Sequence, residues 1–184
     1  HRLTDSPGDD EHPAVSPDGR LLAWVSEKDG QADIYLMELG PDGSPGPHQR
    51  LTDTPAREAD LSWSSDGKRL YFAAEEPWER DAWSDFTGDE AAERWPERET
   101  FWAVYYLALD TGEVEPQSVE PGDHRCPVHF TGYGTVCFRT GWGKGAPREL
   151  VLVHHALLEE AITIPGDPEE LYGPITRRPP EPSS

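Results

Sequence analysis

The chain is 184 residues long and carries 36 acidic against 16 basic side chains, a net charge of -20. Such a surface repels phosphate backbones and anionic headgroups, so neither nucleic acid nor a membrane surface is an expected partner. No apolar run approaches the roughly 20 residues of a membrane-spanning helix, which argues against membrane insertion, and 19 prolines with 17 glycines leave little room for helix of any kind.

In chain order, His1 opens the sequence without an initiator Met or a leader, which reads as a trimmed, mature or partial polypeptide. Short apolar and β-branched runs then predict strands near 12–15, 21–26, 31–37 and 47–51, with Pro17-Asp18-Gly19 as the first tight turn. The same phrases return 48 residues later: "RLTD" at 2–5 and 50–53, "SPDGR" at 16–20 and "SSDGK" at 64–68, "LLAWVS" at 21–26 and "RLYFAA" at 69–74. "IYLMEL" at 34–39 returns as "VYYLAL" at 104–109, now 70 residues on, so an insertion at 75–99 interrupts the second unit. Its strands are expected near 60–63, 69–74, 100–107 and 114–118. A weaker third copy starts at Pro127, with strands near 127–130, 135–139, 148–154 and 161–164, aligned on the first at an offset of 114.

Four antiparallel strands repeated at a period of about 40 to 48 residues describe a propeller blade, a unit that buries its two faces only by stacking on neighbours. The run "RLTD…HPAVSPDGRLLAWVSEKDGQADIYLMEL…QRLTD" resembles the blade repeat of TolB-like β-propellers (PD40, WD40-like repeats), and also the propeller of prolyl-oligopeptidase-type serine peptidases. The likeness covers residues 2–116 well and 124–164 weakly. It departs at Ser65, where Pro is expected, and at Gly132-Tyr133, where Asp-Gly is expected.

The expected fold is therefore all-β: three four-stranded blades within residues 1–166, at about 10–51, 58–118 and 124–164, followed by a Pro-rich extended tail at 167–184. Propellers of this resemblance have six or more blades, so three form an incomplete ring with two apolar faces to cover. A longer propeller of which this is a piece, a second copy closing the ring as a homodimer, and a protein partner on the open faces each satisfy that need.

No G-x-S-x-G elbow is present, and "GWGKG" at 141–145 lacks the serine, so the chain is expected not to be an enzyme. The function expected is a non-catalytic protein-interaction or scaffold module, a TolB-like subunit of an exported assembly in the periplasm or outside the cell. The alternatives are the propeller of a prolyl-oligopeptidase-type peptidase whose hydrolase domain lies elsewhere, and a propeller binding a metal or small ligand.

Candidate partner-binding anchors are Trp78, Trp83, Phe86 and Trp95 in the acidic insertion, since aromatic residues on loops of a rigid scaffold make interface contacts. The blade alignment places Asp10, Glu58 and His124 at one equivalent position before the innermost strand, and His12, Asp60 and Cys126 at another. Those two rings of carboxylate, imidazole and thiol are the candidate metal ligands at the channel. No cofactor is otherwise expected, calcium or another divalent ion being the one candidate. The uniform offset of 114 also sets Val128 opposite Cys137 and Cys126 opposite Arg139, with the two cysteines on one face near bridging distance. A disulfide and two separate thiols both fit that placement.

Overall fold

The computed structural model describes residues 2–77, 100–118, 123–130, 134–140, 148–153 and 162–164. Twelve strands lie among them. The first sheet holds β1 (Asp10–Val15), β2 (Leu21–Ser26), β3 (Asp33–Leu39) and β4 (Pro45–Arg50). The second holds β5 (Glu58–Trp63), β6 (Arg69–Pro77), β7 (Thr100–Ala108) and β8 (Val114–Pro116). The third holds β9 (Asp123–Phe130), β10 (Gly134–Thr140), β11 (Arg148–Val153) and β12 (Ile162–Ile164). Each sheet is an antiparallel meander in chain order. The first strand of each is innermost, and β5 lies against β1 on one side and β9 on the other. The three sheets thus stack as successive blades in an open arc.

The turns explain why the repeated phrase folds the same way twice. Asp18 Oδ1 accepts hydrogen bonds from the Ser16 hydroxyl at 2.7 Å and from the Arg20 N–H at 3.1 Å, and Gly19 takes φ 74°. Asp66 Oδ1 likewise accepts from the Ser64 hydroxyl at 2.7 Å and the Lys68 N–H at 3.0 Å, with Gly67 at φ 70°. Ser-x-Asp-Gly carries the geometry, so Ser65 replaces proline without altering the turn.

The main core lies between the first two blades. Ala23, Ile34 and Leu36 of blade one meet Leu70, Phe72, Ala74 and Leu107 of blade two. A one-residue shift of register would turn these side chains to the opposite faces, so this packing fixes the pairing. Trp63 joins the same junction by donating its indole N–H to the Ala14 carbonyl at 2.9 Å. The opposite face of blade one carries a second cluster, Leu22, Trp24, Tyr35 and Met37.

The third hairpin corrects the sequence alignment. Val128 stands opposite Val136 rather than Cys137, and His124, not Cys126, stands opposite Arg139. Val128 and Val136 pair with one residue fewer between them than the equivalent Ala14 and Ala23, so the offset of 114 holds for β9 but becomes 113 on β10. Cys126 lies exposed in a bulge, Cys137 is buried, and both are free thiols. Burial pushes the Cys137 thiol up to about 12, making it a poor nucleophile at neutral pH.

Candidate functional site: the inter-blade nodes

The innermost strand of every blade is bulged at the same place. Register shifts separate Glu11 from Ala14, Ala59 from Ser62, and Val136 from Phe138 opposite. His12, Asp60 and Cys126 all take left-handed backbone, at φ 50°, 56° and 53°. A non-glycine residue in that region costs energy, and three at equivalent positions mark a designed feature of the strand. The bulge re-aims these side chains, and the sequence alignment did group the three together.

Asp60 is where the three blades meet. Its carboxylate accepts from the Arg125 guanidinium and from the Cys126 N–H (3.1 Å), both on β9. Its other oxygen lies 3.5 Å from His12 Nδ1 of β1. Burial alone would raise the Asp60 carboxyl. The Arg125 bond and charge, the Cys126 N–H and His12 together outweigh it and hold the group below the usual carboxylate range. Arg125 in turn lies over the Trp102 ring at 4.0 Å, and the Trp102 backbone N–H donates to the Asp123 carboxylate at 3.1 Å. Tyr71 of blade two stacks on His129 of blade three, with centroids 4.7 Å apart.

Asp60→Asn keeps the shape and tolerates the left-handed backbone while removing the charge. We expect it to lower stability by about 2 kcal/mol, the range of a charge-assisted hydrogen bond, as read by urea unfolding at neutral pH. Because the folded carboxyl stays ionised to lower pH than the unfolded one, this contribution is present above the usual carboxylate range and lost on acidification. The difference between wild type and variant should therefore shrink as the pH falls.

The second ring behaves differently at each blade. Glu58 is 2% exposed and accepts from the Ile34 N–H at 3.0 Å, from the Thr52 hydroxyl and, at 3.3 Å, from the Thr54 hydroxyl. It thereby ties the third strand of blade one to the first strand of blade two. Burial pushes its carboxyl up to about 7; the Asp33 charge adds to this, while the Thr52 and Thr54 hydroxyls and the Ile34 N–H pull it back. Asp10, its equivalent, is exposed and is held low: some burial raises it, but donors from Ser26, Thr4, Ser6 and Trp24 outweigh that. His124 is 2% exposed on β9. Among the described residues, no three of His, Cys, Asp and Glu come together as metal ligands. Trp78, Trp83, Phe86 and Trp95 lie outside the described residues.

Sequence reasoning missed Arg125, Trp102 and Thr52. The signal for Thr52 was present in "RLTD": Ile34 N–H bonds the Thr52 hydroxyl at 2.8 Å, and Val104 N–H bonds the Ser118 hydroxyl at 2.9 Å. In blades one and two the small hydroxyl residue ending the blade satisfies a third-strand amide.

Among solved structures, TolB from Acinetobacter baumannii superposes with a TM-score of 0.57 at 18% identity, covering 84% of this chain and 32% of that one. The fold is that of a TolB-like β-propeller. Puromycin hydrolase matches the same blades with a TM-score of 0.61 at 18% identity, over 90% of this chain and 23% of that one. Among curated proteins, Tricorn protease homolog 1 of Streptomyces coelicolor is 33% identical over 60 residues, 32% of this chain and 5% of that protein. Dipeptidyl-peptidase 5 of Trichophyton schoenleinii is 34% identical over 67 residues, 35% of this chain and 9% of that protein. No family model matches the propeller chain. The matched stretch is thus less than a tenth of either curated relative. These likenesses overturn the expectation that the chain is not an enzyme. Both curated relatives are peptidases by name, so the lack of a nucleophile elbow in these 184 residues does not exclude an enzymatic role.

Proposed function

We propose that these blades form part of the propeller of a prolyl-oligopeptidase-type peptidase, where they shape the route by which peptides reach a hydrolase domain carried elsewhere. The observation behind this reading is that a stretch of 60 to 67 residues of this chain, at 33–34% identity, recurs in two proteins named as peptidases. The geometry suits the role. The Asp60–Arg125–His12 node fastens three inner strands to one another on the channel side, and a rigid inner wall selects by shape and charge.

The test uses the polypeptide expressed from its native reading frame. Hydrolysis of aminoacyl p-nitroanilides, together with labelling by a serine-directed fluorophosphonate, is the expected result. If neither occurs, the peptidase reading fails.

A second reading, a TolB-like module that binds a protein partner in an exported compartment, is favoured by the TolB superposition and by the two apolar outer faces of the arc. Cell fractionation checks the compartment. Recovery in the cytoplasm alone would remove it.

A further inference from the structure

The register of the third blade brings its two cysteines together. Val136 pairs with Val128 and Phe138 with Arg125, so one residue of β10, Cys137, stands opposite two of β9, Cys126 and Pro127. That two-against-one count is a bulge. Residues facing each other in an antiparallel pair have Cα atoms about 4.5–5.5 Å apart, inside the window of about 4.4–6.8 Å that a disulfide needs. A uniform offset sets the two cysteines diagonally; the fold makes them direct cross-strand neighbours.

Both side chains belong to the face turned to blade two. Cys137 is 1% exposed and shares its face of β10 with Thr135, whose hydroxyl bonds Tyr71 of blade two. The Cys126 N–H donates to Asp60 of blade two at 3.1 Å. Cys126 is exposed as a residue, yet its thiol is pushed up to about 11 by burial, then by the charge of Asp60 and a hydrogen bond to it, against the pull of Arg125. Burial, and after it the nearby Cys126, push the Cys137 thiol up. The equivalent positions opposite the bulge hold Trp24 in blade one and Phe72 in blade two, and the bulge residues there are His12 and Asp60. Blade three alone puts a thiol at both places.

We propose that Cys126 and Cys137 are a redox pair that closes a disulfide across this bulge in the presence of a disulfide oxidant such as oxidised glutathione. Cys126, on the exposed side, takes the first step: its thiolate attacks one sulfur of the oxidant and releases one thiolate. Cys137 then attacks the Cys126 sulfur as its own thiolate and releases the second. The two protons lost by the cysteines end on the two released thiols, and the S–S bond of the oxidant is exchanged for that of the protein. The bond clasps β9 to β10 at the stretch that gives Arg125 and the Cys126 N–H to Asp60, so oxidation stiffens the third blade's side of the node. The clasp rests on neither functional reading.

The experiment equilibrates the polypeptide of the native reading frame, without oxygen, in mixtures of reduced and oxidised glutathione approached from both directions. Both thiols are held protonated at neutral pH and exchange slowly, so the readout is taken at equilibrium. Peptide mapping without reduction is expected to find Cys126 joined to Cys137, in an amount that rises with the oxidised fraction and reverses with dithiothreitol. Hydrogen exchange of the β9–β10 amides should slow at least about tenfold in the oxidised form, because the bond closes a short loop. Cys126→Ser alters an exposed residue and should abolish that slowing. Thiols that both stay free at the most oxidising ratio, a lasting glutathione adduct on Cys126, or a bridge between two chains would each overturn the pair. Slowing that persists in Cys126→Ser, or a bond that leaves exchange unchanged, would overturn the clasp.

Discussion

Replacing Phe72 by alanine is expected to lower the stability of the chain by about 3–5 kcal/mol, the range for emptying a buried aromatic site. Phe72 is 2% exposed and stands at the centre of the cluster between the first two blades. It stacks on Tyr105 with ring centroids 5.9 Å apart. Both walls of the site are sheets held by their own ladders, so neither collapses easily into the vacated volume. The loss should fall on the junction before it reaches the meanders themselves. Urea unfolding followed by tryptophan fluorescence at one fixed protein concentration measures it, since association would otherwise shift the midpoint. A change below 1 kcal/mol would mean that the blades do not depend on this contact.

The second large effect is a pH dependence centred on Glu58. Its carboxyl titrates near 7 when folded and near its ordinary value of 4.5 when unfolded. Below 4.5 the group is neutral in both states. Between 4.5 and 7 the unfolded chain gives up the proton while the folded chain keeps it. Stability therefore falls as pH rises through that window, by about 3 kcal/mol in all, and levels off above it. Glu58→Gln retains an acceptor for the Ile34 N–H and removes the titration. Subtracting the variant's profile from that of wild type should isolate a slope confined to this window. Asp60 contributes with the opposite sign and at lower pH, so the two are separable. A flat difference profile would show that the buried carboxyl ionises as readily folded as unfolded.

The contrast between Glu58 and Asp10 shows where sequence reading stops. The repeat put both at one position, and that equivalence survives in the fold, together with the hydroxyl residues that serve each of them. Nothing in the repeat said that one carboxylate would be closed over by a neighbouring strand and the other left on an outer face. Burial comes from which blade stacks on which, a relation between segments dozens of residues apart. Arg125 and Asp60, 65 positions apart, are the same case: an arginine beside a cysteine carries no local sign that it will seal a junction.

The third hairpin marks a different boundary. In the first two blades Ser-x-Asp-Gly sets turn and register together, because the aspartate's own hydrogen bonds build the turn. Where Gly132-Tyr133 replaces that signal, the alignment had only spacing to rely on, and spacing does not reveal a loop shortened by one residue. That single residue turned Val136 and Phe138 to the outer face and Cys137 to the inner one.

By itself the sequence determined the strands, the first two turns, the number of blades and the equivalence of His12, Asp60 and Cys126, because each is written in local composition and repeated at a fixed interval. Only the tertiary structure decided the register of the third blade, the burial of Glu58 and the Asp60–Arg125 fastening. Those depend on side chains meeting across stacked sheets, where packing and desolvation act between residues that no short stretch of sequence holds together.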